Sequence, residues 1–464
     1  MVISCSQAGA SRRRPPPHLA ERWSCALADT PGTTPAPPSR PGCLSSAALP
    51  VRLAFQRRPT MHEQAHESHA PLIPPDDHRA LATRLDLCHF SDEAPGMVYW
   101  HPRGLAIVRV LEEAVRAHVR AAGYREVRTP QLVRRSTWET SGHWDAFRDA
   151  MFAFGDVAAL KPVSCPGHIE IVRRAAPSWR DLPLRLAEFG VVHRDEPSGT
   201  LHGLMRLRQF TQDDGHIFCT DDQIAEEISR FCRELPAFYR RFGFEHIELA
   251  LSLRPANRLG EDAWWNRAEA MLAEVVAALG LSCEVQLGAG AIYGPKLELV
   301  LRDRRGRAWQ CGTIQLDFVM PQGFDVRYAD AEGGKRHVVM LHRALFGSIE
   351  RFLGILLEHH GAALPAWLAP EQVAVVPVTE AHHERAVAIA GELAGLRVRV
   401  DGAEAALGRR VARAHHDGVP YVVVIGDREV REGTLAVRTP ERQWSGSIAE
   451  VQADLIAGCA VRAT

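Results

Sequence analysis

Hydrophobic positions along this chain recur with two different periods, and the change of period predicts a mixture of helices and strands. From 103 to 122 apolar side chains recur every three or four residues and Gly123 follows, which predicts a long amphipathic helix. The face that this helix would bury consists of Leu105, Val108, Leu111, Val115 and Val119. Further helices are predicted in DDHRALATRLDLCHF at 76–90, over about 221–242 and over 345–361.

Alternating apolar and polar positions predict strands elsewhere. LRLAEFGVVH and LMRLRQFTQDDGHIF flank a loop rich in Pro, Ser and Gly, a pattern typical of a long antiparallel hairpin over 185–218. REVRTPQLV predicts a strand with Pro130 at an edge or bulge, because proline cannot donate to a sheet ladder. More strands are predicted in EHIELALSLR, SCEVQLG, KLELVLRD, AWQCGTIQLDF and HVVMLH. Strands in runs, with helices gathered between them, indicate an α+β domain on a mainly antiparallel sheet.

Changes of composition divide the chain into segments. LPAWLAP at 364–370 predicts a linker, and beyond it VAVVPV, RVRVD and PYVVVIGD alternate with helical stretches. This βαβ rhythm predicts a small α/β domain over 371–464. Residues 97–363 form the main domain, and 61–96 form a polar leader with a short helix. Residues 1–60 are rich in proline and arginine and lack lysine, so we expect a disordered tail, with translation starting at Met61 rather than an organelle transit peptide.

Composition excludes several classes of protein. The chain has 464 residues, of which 46% are hydrophobic and 24% charged, with a formal net charge of -1, as in ordinary soluble globular proteins. A broad polyanion-binding surface is therefore not expected, although a local basic patch remains compatible with nucleic acid. The ten cysteines are scattered without a CxxC pair, which indicates a reducing, cytoplasmic compartment. No run of 18 apolar residues exists, so no membrane span is expected.

Two short motifs carry little weight. HEQAH at 62–66 matches the zinc-protease pattern HExxH, but SHAPLIPP follows at once and would not continue a helix, so a solvated tail is the better interpretation. GAGAIYG at 288–294 has the wrong final spacing for a dinucleotide loop and no βαβ unit around it. We interpret it as a turn that lets the backbone approach a ligand.

The hairpin is the most informative segment. Arg194, Glu196 and Arg206 cluster about its loop, and arginines on a rigid scaffold suit a phosphate-bearing ligand, because guanidinium offers fixed bidentate donors. The alternative is an ordinary charged, exposed hairpin. The strings HRDEPSG and GLMRLRQFTQDDGHIF decide between them, because they resemble the second signature motif of class II aminoacyl-tRNA synthetases, specifically the threonyl-specific enzymes. EAPGMVYWHPRG and SGHWDAFRDAMF extend the resemblance, which covers about 79–464.

The resemblance implies an ATP site. Arg194 would contact the α-phosphate, Arg206 the γ-phosphate, and Arg351 would pack between adenine and the phosphates, so Arg194 and Arg351 are the expected catalytic residues. Glu196 would sit by the adenine amino group and Phe210 would stack on the ring. ATP would enter with Mg²⁺. The pocket would be completed by Gln310, Thr313, Tyr293 and Lys296.

The resemblance also implies zinc. Cys165 in SCPGH, His216 in QDDGH and His342 are residue types that bind zinc, but their separations alone prove nothing. In the threonyl enzymes the matching residues bind one zinc ion per subunit, and the amino and hydroxyl groups of threonine complete the coordination. Valine lacks that hydroxyl and is rejected. Asp214 would hold the hydroxyl or the amine, and Tyr293 and Lys296 would complete the threonine site.

Several departures from the family shape the remaining expectations. We expect a compact form without the amino-terminal ubiquitin-like and editing domains, and therefore no hydrolysis of seryl-tRNA(Thr) by the chain itself. Val163 and Ser164 replace the usual Met and Asn, which could loosen the amino-acid pocket or alter inhibitor binding. Glu429 and Arg438 match positions that read anticodon bases.

Three functions are carried forward. The first is threonine–tRNA ligation by a homodimer that forms through the first motif, around Pro130. The second is threonine activation for another acceptor, such as a carrier protein. The third is a catalytically silent RNA-binding regulator.

Overall fold

A computed structural model describes residues 73–461. The tail over 1–60, the HEQAH motif, the start at Met61 and the rest of the leader up to residue 72 lie outside the described residues. Within 73–461 no helix combines the length and the apolar character that a membrane crossing requires.

Twenty strands are present in the described part of the chain. They are β1 Cys88–His89, β2 Tyr99–Trp100, β3 Arg125–Glu126, β4 Leu132–Arg134, β5 Ala153–Phe154, β6 Ala158–Leu160, β7 Leu184–His193, β8 Gln209–Cys219, β9 Ile247–Ser252, β10 Glu284–Gln286, β11 Lys296–Arg302, β12 Ala308–Asp317, β13 Arg327–Ala329, β14 Lys335–His337, β15 Val339–Ala344, β16 Val373–Pro377, β17 Val398–Val400, β18 Tyr421–Ile425, β19 Thr434–Arg438 and β20 Gln443–Ser447.

Thirteen α-helices accompany these strands over residues 73–461. They are α1 His78–Arg84, α2 Pro102–Ala121, α3 Arg135–Thr140, α4 His143–Phe147, α5 Cys165–Ala175, α6 Ile224–Arg240, α7 Asp262–Ala278, α8 Met320–Gly323, α9 Ile349–His360, α10 His383–Glu392, α11 Leu407–His416, α12 Asp427–Glu432 and α13 Ile448–Cys459.

An eight-stranded sheet forms the centre of the larger domain. Its strand order is β10-β9-β11-β12-β15-β8-β7-β3, and every neighbouring pair is antiparallel except β10 with β9 and β3 with β7. The expected α+β class and mainly antiparallel sheet are therefore confirmed. The single strand predicted over 125–133 is wrong, because the segment forms two short strands in different sheets and Pro130 lies between them. Strand β3 is at an edge of the large sheet, and β4 pairs with β6.

The predicted hairpin is formed by β7 and β8, with Leu186 opposite His216 and Val192 opposite Phe210. Because strand side chains alternate between faces, Phe210, Gln212, Asp214 and His216 share one face of β8. The other face of β8 contributes residues such as Ile217 to a large hydrophobic core. The hairpin thus carries polar site residues on one side and core residues on the other.

Helices α2, α6 and α9 bury their apolar faces in that core. The predicted face of α2 is nearly right, but Leu105 is 36% exposed and Ile107 is buried instead. Helix α7 was not predicted, and it buries Ala268, Leu272 and Val275 in the same core.

Two segments that were predicted to lie outside the domain cores are packed into them. Helix α1, assigned to the leader, buries Leu81 and contacts α9 through a 2.6 Å hydrogen bond between His78 Nδ1 and Glu358 Oε1. The linker over 364–370 lacks regular structure as expected, but Leu368 is fully buried. We therefore propose that α1 and the 364–370 segment belong to the larger domain, because both contribute buried side chains to its core.

The carboxyl-terminal residues form a five-stranded sheet in the order β17-β16-β18-β19-β20. The pairs of β16 with β17 and of β16 with β18 are parallel, which confirms the predicted parallel strand pairs, whereas β19 and β20 are antiparallel additions. Arg103 of α2 joins the two domains, because its Nη2 donates to the carbonyl of Asp417 at 2.6 Å and its Nη1 contacts Glu371.

Candidate active site

A cavity of about 450 Å³ lies over the large sheet, between the hairpin and the start of α9. Strands β8 and β12 supply part of its wall, and the 194–207 loop and the turn before α9 supply the rest. All seven residues expected to bind ATP line it: Arg194, Glu196, Arg206, Phe210, Gln310, Thr313 and Arg351. The fold therefore gathers into one cavity residues that lie up to 157 positions apart, from 194 to 351.

Positive charge faces this cavity. The guanidinium of Arg194 lies 5.1 Å from the centre of the Phe210 ring, and its Nε donates to the carbonyl of Pro162 at 3.2 Å. The Nε of Arg351 is buried and has no hydrogen-bond partner among the described residues. A buried guanidinium without a full set of acceptors is stabilised when an anion binds beside it. Arg206 instead meets Glu196, with 3.0 Å between Nε and Oε2.

Three potential metal ligands converge next to this cavity. Cys165, His216 and His342 are all buried, and their ligand atoms lie within 4.8 Å of one another. His216 is on the same face of β8 as the cavity residues Phe210 and Gln212, and His342 lies directly opposite it on β15. Cys165 is the first residue of α5.

The hydrogen bonds of the two histidines leave one ring nitrogen of each free to bind a cation. His342 Nε2 lies 2.9 Å from Asp317 Oδ2, so Nδ1 is available. His216 Nδ1 lies 2.8 Å from His168 Nδ1, so Nε2 is available. Two imidazoles and a thiol in one buried cluster form a donor set that suits zinc. The residues present therefore fit the metal that the family resemblance implies.

The remaining candidates for the threonine site are placed as follows. The Tyr293 ring stacks on His342 with 4.6 Å between centroids, and its hydroxyl donates to Gln315 Oε1 at 2.8 Å. Asp214 shares the face of β8 with His216, and its Oδ2 is buried without a partner among residues 73–461. The ammonium of Lys296 contacts Glu298 rather than the trio.

The two residues that depart from the family pattern, Val163 and Ser164, directly precede Cys165. Ser164 Oγ is buried and unpaired within the described chain, and a side chain at Gly190 would come within 2.3 Å of it. Val163 lines a second cavity of about 440 Å³, which also reaches Pro130. Within the glycine turn at 288–294, Gly294 packs against the carbonyl of Leu316, whereas a side chain at Gly288 would meet open space, so the approach of this turn to a ligand stays a prediction.

A buried polar network behind the trio was not predicted. Glu188 accepts hydrogen bonds from the backbone NH of Thr129 at 2.9 Å, from Lys161 Nζ at 2.9 Å and from His168 Nε2 at 3.2 Å. Burial raises the pKa of Glu188, but the hydrogen bonds from His168, Lys161 and Thr129 outweigh it and lower the pKa to about 2. No local sequence signal identifies this network, because its members are 20 to 59 residues apart.

Two buried acids that support the cavity wall were also missed. Asp213, on the core face of β8, accepts hydrogen bonds from the backbone NH groups of Leu345, Phe346 and Gly347. Glu350 accepts from the backbone NH of Thr211 at 2.9 Å. The sequence does contain a signal for Asp213, because this acidic residue occupies a position in β8 whose side chain faces the hydrophobic core.

The two residues expected to read anticodon bases lie in the small domain. Glu429 is buried, and its Oε2 accepts the backbone NH of Gly426 at 3.1 Å at the start of α12. Its other oxygen contacts Arg428 Nη2 at 2.9 Å. Arg438 is half-buried at the end of β19. In this structure Glu429 acts as a helix cap, so reading a base would require its carboxylate to exchange partners.

Comparisons with known proteins agree with both domains. Residues 154–360 match the model of the tRNA synthetase class II core domain (G, H, P, S and T), and residues 372–454 match that of the anticodon binding domain. The chain is 47% identical over 377 residues to the threonine–tRNA ligase of Stenotrophomonas maltophilia, covering 80% of this chain and 60% of that protein. It is 49% identical over 378 residues to the threonine–tRNA ligase of Alkalilimnicola ehrlichii, covering 80% and 59%.

A solved structure is similar over nearly its whole length. The RNA binding domain of threonyl-tRNA synthetase from Cryptosporidium parvum superimposes with a TM-score of 0.80 at 36% identity, covering 83% of this chain and 99% of that one. By contrast, the chain spans about three fifths of the length of the two bacterial relatives. These similarities give no support to a carrier-protein acceptor or to a silent regulator.

Proposed function

This chain belongs to the threonyl-tRNA synthetase family of class II aminoacyl-tRNA synthetases, and from that premise we propose that it joins L-threonine to tRNA(Thr) at the expense of ATP. One observation carries the proposal. The cavity lined by all seven expected ATP residues and the Cys165–His216–His342 trio share strand β8. A nucleotide in the cavity and an amino acid at the trio would therefore meet along one strand face.

In the first step the threonine carboxylate attacks the α-phosphorus of ATP, which enters as its Mg²⁺ complex. A carboxylate–phosphorus bond forms, the bond to the β-phosphate breaks, and pyrophosphate leaves. Arg194 and Arg351 stabilise the negative charge that develops on the α-phosphate, and burial makes each guanidinium more effective than it would be in water. Phe210 and Glu196 hold the adenine, and Arg206 exchanges its contact with Glu196 for the γ-phosphate. Gln310 and Thr313 complete the wall.

Selection of the amino acid takes place at the trio. Cys165, His216 and His342 would hold one Zn²⁺ per subunit, and that ion would supply open positions for the amino and hydroxyl groups of threonine. Asp214 points its unpaired oxygen along the same face and accepts from the amine or the hydroxyl. Tyr293 supports His342 by stacking. Lys296 stays with Glu298 until a ligand's carboxylate or phosphate draws it away.

Transfer to tRNA involves the other parts of the chain. The threonyl carbonyl passes from the adenylate to a terminal ribose hydroxyl, and AMP leaves. The domain over 371–464 binds the anticodon arm, with Glu429 and Arg438 as base contacts. Homodimers form through the segment around Pro130, and the enzyme acts in the cytoplasm.

The decisive experiment measures two activities of the purified chain. Threonine-dependent ATP–pyrophosphate exchange is expected, together with charging of a tRNA(Thr) transcript, and neither reaction is expected with valine. Arg351→Gln should abolish both, whereas Arg327→Gln, at an exposed site outside the cavity, should leave both intact. Exchange without charging would favour a different acceptor, and the absence of exchange would favour the regulator and overturn the proposal.

A further inference from the structure

Each proposed histidine ligand has a partner on its far nitrogen, but the two partners differ in kind. His342 Nε2 faces the Asp317 carboxylate, which can only accept a hydrogen bond. His216 Nδ1 faces another histidine, His168, whose Nδ1 can either donate or accept. The protonation pattern of His216 is therefore undetermined until something fixes the pattern of His168.

Glu188 fixes it. The Nε2 of His168 lies 3.2 Å from Glu188 Oε2, and an ionised carboxylate requires a proton on that nitrogen. A neutral His168 with its proton on Nε2 has a lone pair on Nδ1, which then accepts the proton of His216 Nδ1–H. The reverse arrangement would direct the lone pair of His168 Nε2 at the Glu188 carboxylate, and it would leave His216 Nε2 protonated and unable to bind a cation.

We propose that His168 and Glu188 are positioning residues that set the tautomer of His216, so that its Nε2 lone pair faces Cys165 and His342. The inference rests on the proposed zinc site and goes beyond it, because neither residue is a ligand. The chain of hydrogen bonds is continuous and buried: His168 is fully buried and Glu188 is 3% exposed. Water cannot readily replace either partner.

This series of hydrogen bonds begins at the segment proposed for dimerisation. Thr129, next to Pro130, donates both its backbone NH and its Oγ1 hydroxyl to Glu188, at 2.9 and 2.8 Å. Lys161 balances the Glu188 charge at 2.9 Å and also reaches Thr129 Oγ1. The orientation of Glu188, and through it the ligand state of His216, therefore depends on how the 129–130 segment is held.

Variants of His168 separate positioning from simple packing. In His168→Asn the side-chain oxygen occupies nearly the place of Nδ1 and can still accept from His216, whereas His168→Leu fills similar space without an acceptor. The matched control is His360→Asn, at a histidine that bonds the carbonyl of Phe242 outside this network. Zinc affinity is measured by competition with a chromophoric chelator, alongside the KM values for threonine and ATP.

The leucine variant is expected to bind zinc about 10- to 100-fold more weakly and to raise the KM for threonine while leaving the KM for ATP nearly unchanged. The zinc affinity of the asparagine variant should lie within a few-fold of the wild-type value, and the zinc affinity of the His360→Asn control should equal that of the wild type. Circular dichroism confirms folding, and the asparagine variant remains informative if the leucine variant does not fold. A folded leucine variant with wild-type zinc affinity, or an asparagine variant as weak as the leucine one, overturns the inference. A wild-type chain without zinc overturns the proposed metal site itself.

Discussion

Removal of the Asp213 carboxylate should destabilise the wall of the ATP cavity more than any exposed substitution. Its side chain is fully buried, and its two oxygens accept the NH groups of Leu345 at 2.5 Å, Phe346 at 3.0 Å and Gly347 at 2.9 Å. Together these bonds hold the turn that leads into α9. Arg343 Nη1 lies 3.7 Å from Asp213 Oδ2, so this guanidinium and the backbone donors hold the carboxylate together.

The magnitude follows from the donors that are left without an acceptor. Each of the three NH groups left without a partner costs about 1–3 kcal/mol, so Asp213→Ala should lower the free energy of unfolding by about 3–9 kcal/mol. Asp213→Asn keeps one acceptor but turns an NH₂ group toward the other donors, and about 2–3 kcal/mol is expected. Because Gly347 and Ser348 line the cavity, a shift of the turn by about 1 Å should raise the KM for ATP by roughly tenfold or more.

Guanidinium unfolding followed by tryptophan fluorescence measures the stability, and ATP–pyrophosphate exchange measures the KM values. The matched control is Asp156→Ala, an exposed aspartate 3.3 Å from Arg135 Nη1, for which a change below about 0.5 kcal/mol is expected. If Asp213→Ala were as stable as this control, the carboxylate would not be holding the turn and the reasoning would be refuted.

Three further outcomes are expected. The pKa of Glu188 is lowered to about 2 in the folded protein, so its ionised carboxylate contributes about 3 kcal/mol to the free energy of unfolding above pH 4.5. This contribution is lost as the pH falls toward 2, and Glu188→Gln should flatten the curve of stability against pH between these values. Burial raises the pKa of Glu350 to about 7, so Glu350→Gln should gain stability over the wild type as the pH rises from 4.5 to 7, and no gain by pH 8 would contradict this. Chelation of zinc should lower the melting temperature, and a Cys165→Ala variant should show no such drop.

The sequence predicts those parts of the fold that depend on local periodicity. Strands β7 and β8 follow from the alternation of apolar and polar residues, and α2 follows from apolar residues spaced three or four apart. The prediction for α2 was wrong at Leu105, which is exposed. Helix α7 was not predicted because its apolar residues are spread around the helix and do not form a single apolar face. The 364–370 segment looked like a linker because its prolines prevent regular structure, and only the packed core shows that Leu368 is buried.

Site residues divide in the same way. The residues that face the ligand were predicted because they occur in recognisable strings, and the structure brings seven of them to one cavity. The residues that position them were not predicted, because their partners are distant in sequence. Asp213 bonds backbone groups 132 to 134 residues away, and His168 bonds His216, which is 48 residues away. Such partners are set by strand register and helix packing, which one sequence does not display.

The contact between His78 and Glu358 has a consequence for the order in which the protein is made. These residues are 280 positions apart, and His78 Nε2 also accepts the NH of Leu204 beside the ATP cavity. At about 5–20 residues per second, the ribosome needs roughly 15–60 s to pass from one to the other. During that interval α1 must remain without the carboxylate of Glu358, whereas its contact with Leu204 can form earlier. Helix α1 can therefore reach its final packing only after residue 358 has been synthesised.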